Sequence, residues 1–164
     1  MKTPNYDFTK DFPIAKATEA QIARFLVENQ DMTYVNKVEN VPGAKLTDFD
    51  IKMRFNKSNQ DVTIEIKEDF SCERTGNVGV EFECRGKLSG ISISKSDYYL
   101  YKVHRPDHKI GVYIAPTSAL KEMIQRQRYF RIVNGGDPGS NSMNYLFKLD
   151  VFKETFKLIG FLDK

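Results

Sequence analysis

The chain has 164 residues, of which 40% are hydrophobic and 29% charged, with a net charge of +3. That is the size and balance of one ordinary globular domain, spanning 1–164, and it excludes wholesale disorder. No apolar run approaches the ~18 residues of a membrane span, and Met1 to Phe12 holds no apolar segment of a secretory leader. Two cysteines, Cys72 and Cys84, suit free thiols in a reducing cytoplasm, and with only His104 and His108 beside them they make no zinc motif.

The first element is a helix from Thr18 to about Glu28. Thr18-Glu19-Ala20-Gln21 reads as a capping box, and Ile22, Phe25 and Leu26 recur at helical spacing. Asn40 to Lys45, with Pro42 and Gly43, reads as a loop. The period then changes to two. Phe49, Ile51, Met53 and Phe55 alternate with Asp48, Asp50, Lys52 and Arg54. Past a polar turn at Asn56 to Asp61, Val62, Ile64 and Ile66 alternate with Thr63, Glu65 and Lys67. So short a connection predicts an antiparallel hairpin.

A third strand is predicted at Val78 to Cys84, then a Gly- and Ser-rich stretch from Arg85 to Ser96. Strands at Tyr98 to Val103 and Ile110 to Ala115 flank a turn at Arg105-Pro106-Asp107. Thr117 can cap a helix to about Arg128. A Gly-rich loop at Gly135 to Asn141, a strand at Tyr145 to Leu149 and a helix from Val151 complete the chain. The order predicts an α/β (α+β) fold around one central mixed sheet flanked by helices.

The hairpin carries the chemistry. If its apolar faces share the core, Asp48, Asp50, Glu65 and Lys67 project from the opposite face. Carboxylates on neighbouring strands lie within ~5–8 Å of one another. They repel, and a hard divalent cation, Mg²⁺ or Mn²⁺, relieves the repulsion while keeping room for a phosphate oxygen. Lys67 can hold a nucleophilic water or neutralise charge on the phosphorus centre. Charged residues alternating along a hairpin also describe a plain solvated sheet face.

Asp50, a fourteen-residue connection and Glu65-Ile66-Lys67 resemble the signature of the PD-(D/E)xK nuclease superfamily. The wider blocks resemble small phage and bacterial members: Asp48-Phe49-Asp50-Ile51, Ile64 through Asp69, Thr75-Gly76-Asn77-Val78, Gly86 through Ile91, and Ser94 through Tyr99. The resemblance implies a restriction-endonuclease-like sheet and a metal-dependent DNA endo- or exonuclease. It implies Asp50, Glu65 and the Ile66 carbonyl as metal ligands, Lys67 as the catalytic lysine, and Glu19 as an acidic residue near the metal. Phe49 stands where the name-giving proline would be, and Asp48 competes with Asp50 for the ligand role.

Further candidates surround this set. Glu81 and Glu83 read as extra ligands or as a surface strand face. Lys95, Arg85 and Lys87 are candidate phosphate contacts, with Lys52 and Arg54 extending the basic rim. Tyr98 reads as a DNA contact or as a half-buried strand tyrosine. Arg126, Arg128 and Arg131, interleaved with Tyr129 and Phe130, suit nucleic acid or a solvated helix end. His104 and His108 flank a turn and are expected to face solvent. The Gly135 to Asn141 loop lacks the lysine of a P-loop. The partner expected is duplex or branched DNA, with a homodimer suited to cutting both strands. The competing classes are a catalytically silent nucleic-acid-binding module and a phage-type regulatory protein that binds a host protein.

Overall fold

The computed structural model describes residues 14–135 and 141–163, with side chains from Ala17 onward. The expected loop at Gly135 to Asn141 lies largely outside the described residues. The elements, in order, are α1 (Ile14–Asn29), β1 (Met32–Lys37), β2 (Ile51–Phe55), β3 (Gln60–Asp69), α2 (Cys72–Thr75), β4 (Asn77–Cys84) and β5 (Lys87–Leu88). Then come β6 (Tyr98–His104), β7 (Ile110–Pro116), α3 (Thr117–Gln125), β8 (Arg131–Gly135), β9 (Ser142–Lys148), α4 (Leu149–Thr155) and β10 (Lys157–Leu162). No helix among the described residues is long and apolar enough to cross a membrane.

The fold is mixed α+β, but the strands divide between two sheets, not one. The larger has the order β1-β2-β3-β6-β7-β10, and the smaller β5-β4-β9-β8. The hairpin β2–β3 is antiparallel in the register Ile51↔Ile64 and Met53↔Val62. Its turn closes where Asn59, at φ 56, donates its backbone N–H to Phe55 C=O at 2.8 Å; asparagine tolerates that left-handed conformation. β3 and β6 are parallel, Glu65 lying beside Tyr99 and Lys67 beside Tyr101. A parallel pair needs a crossover, and residues 70–97 supply it, carrying β4 and β5 into the second sheet.

Period-two alternation sorts the large sheet into two faces. Ile51, Met53, Val62, Ile64, Ile66, Leu100 and Val112 pack beneath Ile22, Ala23 and Leu26 of α1. Tyr99, Tyr101, Val103, Tyr113 and Ala115 pack on the other face against Val78, Val80 and Phe147 of the second sheet, Leu120 of α3 and Phe152 of α4. The near edge of β4 is closed by side chains. Asp69 Oδ2 accepts the Gly79 N–H at 2.9 Å, and the Tyr101 hydroxyl donates to Gly79 C=O at 3.0 Å. Asp69 Oδ1 also accepts the Cys72 N–H at 2.9 Å, so one buried carboxylate anchors the start of the crossover.

The capping box at Thr18 is corrected. The helix begins four residues earlier, which puts Thr18 and Gln21 inside it and one turn apart, facing the sheet. The Thr18 hydroxyl donates to Glu68 Oε1 at 2.6 Å, and Lys102 Nζ donates to Gln21 Oε1 at 2.7 Å. Thr117 is the first residue of α3, its cap position being Pro116. β1, β8 and β10 are strands where no strand was expected, and Arg131 lies in β8 rather than at a helix end.

Candidate active site

Asp50 sits one residue before β2 and, one step beyond the Ile51↔Ile64 pair, comes opposite Glu65. Its backbone N–H donates to Ile64 C=O at 3.0 Å, and its Oδ2 accepts the Ile66 N–H at 2.6 Å. A side chain thus takes over where the backbone ladder ends, and the carboxylate is fixed by the strand it faces. Asp48 goes elsewhere: its Oδ2 accepts the Lys45 N–H at 2.9 Å and closes the turn before β2. Of the two rival aspartates, Asp50 is the one turned to the strand that carries Glu65.

Glu65 is 9% exposed and projects from the face that carries Tyr99. Lys67 Nζ lies 3.3 Å from Glu65 Oε2, and the Ser94 hydroxyl lies 3.4 Å from Oε1. Burial raises the Glu65 carboxyl to about 7; the charge of Asp50 adds to the rise and Lys67 opposes it. Two carboxylates that close in a drying environment do not both ionise freely. Something positive relieves them, either a shared proton or a bound cation. Burial, followed by the charge of Glu65, also holds the neighbouring Tyr99 phenol protonated, well above its ordinary value.

Among the described residues, no three His, Cys, Asp or Glu side chains group into a metal site. The donors that do meet are two carboxylates on neighbouring strands. An all-oxygen set with two carboxylates fits Mg²⁺ or Mn²⁺, which take one or two and keep waters, and does not fit the nitrogen- and sulfur-rich preference of zinc.

The other expected residues are distributed as follows. Glu19 is buried on α1, the helix that covers the Ile64 and Ile66 face. Lys95 is exposed in the loop whose backbone reaches the hairpin, its N–H donating to Asp48 C=O at 2.8 Å. Tyr98 packs on the α1 side, edge-on to Phe55 at 6.2 Å, so Tyr99 is the tyrosine beside Glu65. Arg85 and Lys87 are exposed at the β4–β5 turn. Arg126 and Arg128 flank a cleft between α3 and α4 and are paired, with Glu122 at 2.7 Å and Glu154 at 2.8 Å. Glu81 is half-buried and accepts the Ser89 hydroxyl at 2.9 Å.

His104 is corrected from a solvent-facing residue to a largely buried one. Its Nε2 lies 2.7 Å from Glu68 Oε2, and its ring stacks on Phe70 at 4.4 Å. Burial works to raise the Glu68 carboxyl, but hydrogen bonds from Thr18, His104 and Lys102 hold it below its ordinary value. His108 is exposed and paired with Glu73.

Ser94, Ser96 and Thr117, all buried, were not among the expected residues. Their sequence signal is slight: two serines in a Gly- and Ser-rich stretch read as loop. Comparison with protein-family models, curated proteins and solved structures gives no match. What the fold and site define is therefore an α+β protein with a carboxylate pair and a lysine converging at the end of its first hairpin.

Proposed function

We propose that the protein is a metal-dependent phosphodiesterase acting on DNA. The observation that carries this reading is the meeting of the Asp50 and Glu65 carboxylates with the Lys67 ammonium 3.3 Å from Glu65. Asp50, Glu65 and the Ile66 carbonyl would hold Mg²⁺ or Mn²⁺. When bound, the ion lowers the pKa of a coordinated water and polarises the scissile phosphate. Asp50 and Glu65 fix the ion's position, Asp50 itself being fixed by the Ile66 N–H. Lys67 orients the attacking water and balances negative charge building on the phosphate oxygens. Lys95, Arg85 and Lys87, all exposed, are the candidate contacts to the DNA backbone.

A second reading, a catalytically silent nucleic-acid-binding module, is favoured by the ties already made inside the site. Glu65 meets Lys67 on one oxygen and Ser94 near the other, and Asp50 is engaged by Ile66. One set of measurements separates the two: Mn²⁺ binding, DNA binding, and Mg²⁺-dependent cleavage of duplex and branched DNA by the wild type, Glu65→Ala and Lys67→Ala. Cleavage lost in both variants supports the phosphodiesterase. DNA binding with no cleavage and no Mn²⁺ binding supports the silent module. Binding to no DNA removes both and leaves a role as a protein-binding regulator.

A further inference from the structure

We propose that Ser94, Ser96 and Thr117 form a buried hydroxyl chain that positions Glu65 for cation binding, with Ser94 as the positioning residue in contact. This rests on the carboxylate pair being a cation site. The Thr117 and Ser96 hydroxyls are 3.0 Å apart, the Ser96 and Ser94 hydroxyls 2.9 Å, and Ser94 Oγ is 3.4 Å from Glu65 Oε1. All three residues are buried, at 5%, 6% and 4% exposure. A buried hydroxyl is costly unless it is hydrogen-bonded. Here three of them are spent in a line, beside a core cluster where alanine or valine would pack without that cost.

Each hydroxyl has one proton, and an ionised carboxylate only accepts. With Glu65 ionised the chain has one consistent direction: Thr117 donates to Ser96, Ser96 to Ser94, and Ser94 to Glu65. Bonds aligned this way strengthen one another. The Ser94 hydroxyl also faces Asp48 C=O at 3.3 Å and the Tyr99 hydroxyl. The separations to Glu65 and Asp48 exceed the ordinary O–H···O distance, so Ser94 is shared among these groups, and a charged Glu65 is the strongest acceptor among them.

The loop that carries the serines is fastened on both sides. Lys95 N–H donates to Asp48 C=O at 2.8 Å. Beyond Ser96, Asp97 Oδ2 accepts the Thr63 N–H at 2.9 Å and the Thr63 hydroxyl at 3.2 Å. Thr63 is two residues before Glu65 on the same strand, and Asp48 two before Asp50. The loop is therefore tied to β3, which presents Glu65, and to the segment leading into β2, which presents Asp50. A held second layer of this kind orients metal ligands, and its loss weakens metal binding by about 10–100-fold.

The test is Mn²⁺ titration of the full chain, followed by paramagnetic resonance and calorimetry, with DNA cleavage as a separate readout. The set comprises the wild type, Ser94→Ala, Ser94→Thr, Thr117→Val and Glu65→Gln, each with its unfolding midpoint. Expected is about a tenfold weaker Mn²⁺ affinity in Ser94→Ala, a smaller loss in Thr117→Val, and near wild-type affinity in Ser94→Thr, which keeps the hydroxyl. Thr117→Val deletes only the hydroxyl at constant shape, so it reads the chain even if Ser94→Ala packs poorly. Wild-type affinity in both Ser94→Ala and Thr117→Val overturns the chain. In that case loss of binding in Glu65→Gln leaves the carboxylate site standing. A wild type that binds no Mn²⁺ removes the site and the chain together.

Discussion

Asp50 and Glu65 oppose each other across the first hairpin, one carboxylate just outside its strand and the other buried within the neighbouring one. Asp50 completes the hydrogen bonding of β3 through the Ile66 N–H, so its position is a by-product of strand pairing. Glu65 is held by alternation: Ile64 and Ile66 are committed to the α1 core, which leaves Glu65 no face but the opposite one. The cost of burying a carboxylate there, with the charge of Asp50 added to it, is carried by Glu65.

That cost makes stability depend on pH. Glu65 binds its proton more tightly folded than unfolded, since its carboxyl rises from 4.5 to about 7. The contribution of the protonated form is full below pH 4.5 and is lost as pH rises toward 7. The shift corresponds to roughly 3 kcal/mol. Glu68, held below its ordinary value, acts in the opposite sense but below this window. Urea unfolding at pH 5 and pH 8 is expected to show the wild type less stable at pH 8, and Glu65→Gln with that difference largely gone. A wild type equally stable at both values would mean that neither burial nor the charge of Asp50 holds the Glu65 proton. Millimolar Mn²⁺ at pH 8 is expected to restore the lost stability to the wild type and not to Glu65→Gln.

Lys67 opposes the rise at Glu65, and its removal is expected to act in two separable ways. Lys67→Ala should push the Glu65 carboxyl higher still, so the loss of stability, which begins near pH 4.5, continues to a higher pH and becomes larger. It should also lower the cleavage rate by about 10²–10³-fold, the usual loss for one charge-stabilising donor, while leaving Mn²⁺ bound. Single-turnover cleavage at saturating Mn²⁺ measures the second effect. An unchanged rate would remove Lys67 from the chemistry.

The hairpin and its polar set were legible because one period governs both strands and a polar turn joins them. Alternation alone put Asp50, Glu65 and Lys67 on one face. Alternation does not say which sheet a strand joins, so Val78 to Cys84 read correctly as a strand while its place in a second sheet stayed hidden. β1, with Met32, Tyr34 and Val35 among polar residues, and β8 have no strongly buried face to announce them. Thr18 and Gln21 carry a capping signature that the sheet overrides, because Glu68 and Lys102 offer them partners. Ser94 and Ser96 acquire their meaning only from burial, which is a tertiary outcome.

Asp50 has two roles, and two substitutions separate them. Asp50→Asn keeps an oxygen to accept the Ile66 N–H but removes the charge. Glu65 should then titrate closer to its ordinary value, the pH 5 to pH 8 difference should shrink, and Mn²⁺ affinity should fall. Asp50→Ala removes the acceptor as well. It is expected to cost about 1–3 kcal/mol more than Asp50→Asn, the usual penalty for a buried N–H left unpaired. Denaturant titration of both at pH 5 isolates the hydrogen bond, since both variants lack the Asp50 charge alike. Equal stability of the two variants there would mean that the Ile66 contact contributes nothing.

Asp69 supplies the contrast of a carboxylate that serves the fold alone. It accepts the backbone N–H groups of Cys72 and Gly79 and the Ser71 hydroxyl at 2.9, 2.9 and 3.1 Å, and is 9% exposed. Each bond to a charged acceptor contributes about 1.5–3 kcal/mol, and their loss frees the start of α2 from the edge of β4. Asp69→Ala is expected to lower stability by about 3 kcal/mol or more. Asp69→Asn should recover only part of this, since its amide nitrogen would face an N–H donor. Neither should change Mn²⁺ affinity under conditions where the chain stays folded, because Asp69 closes the second sheet and touches neither Asp50 nor Glu65. Calorimetric melting and Mn²⁺ titration of the same samples check both halves. A selective loss of Mn²⁺ binding in folded Asp69→Asn would place Asp69 in the site and redraw its boundary.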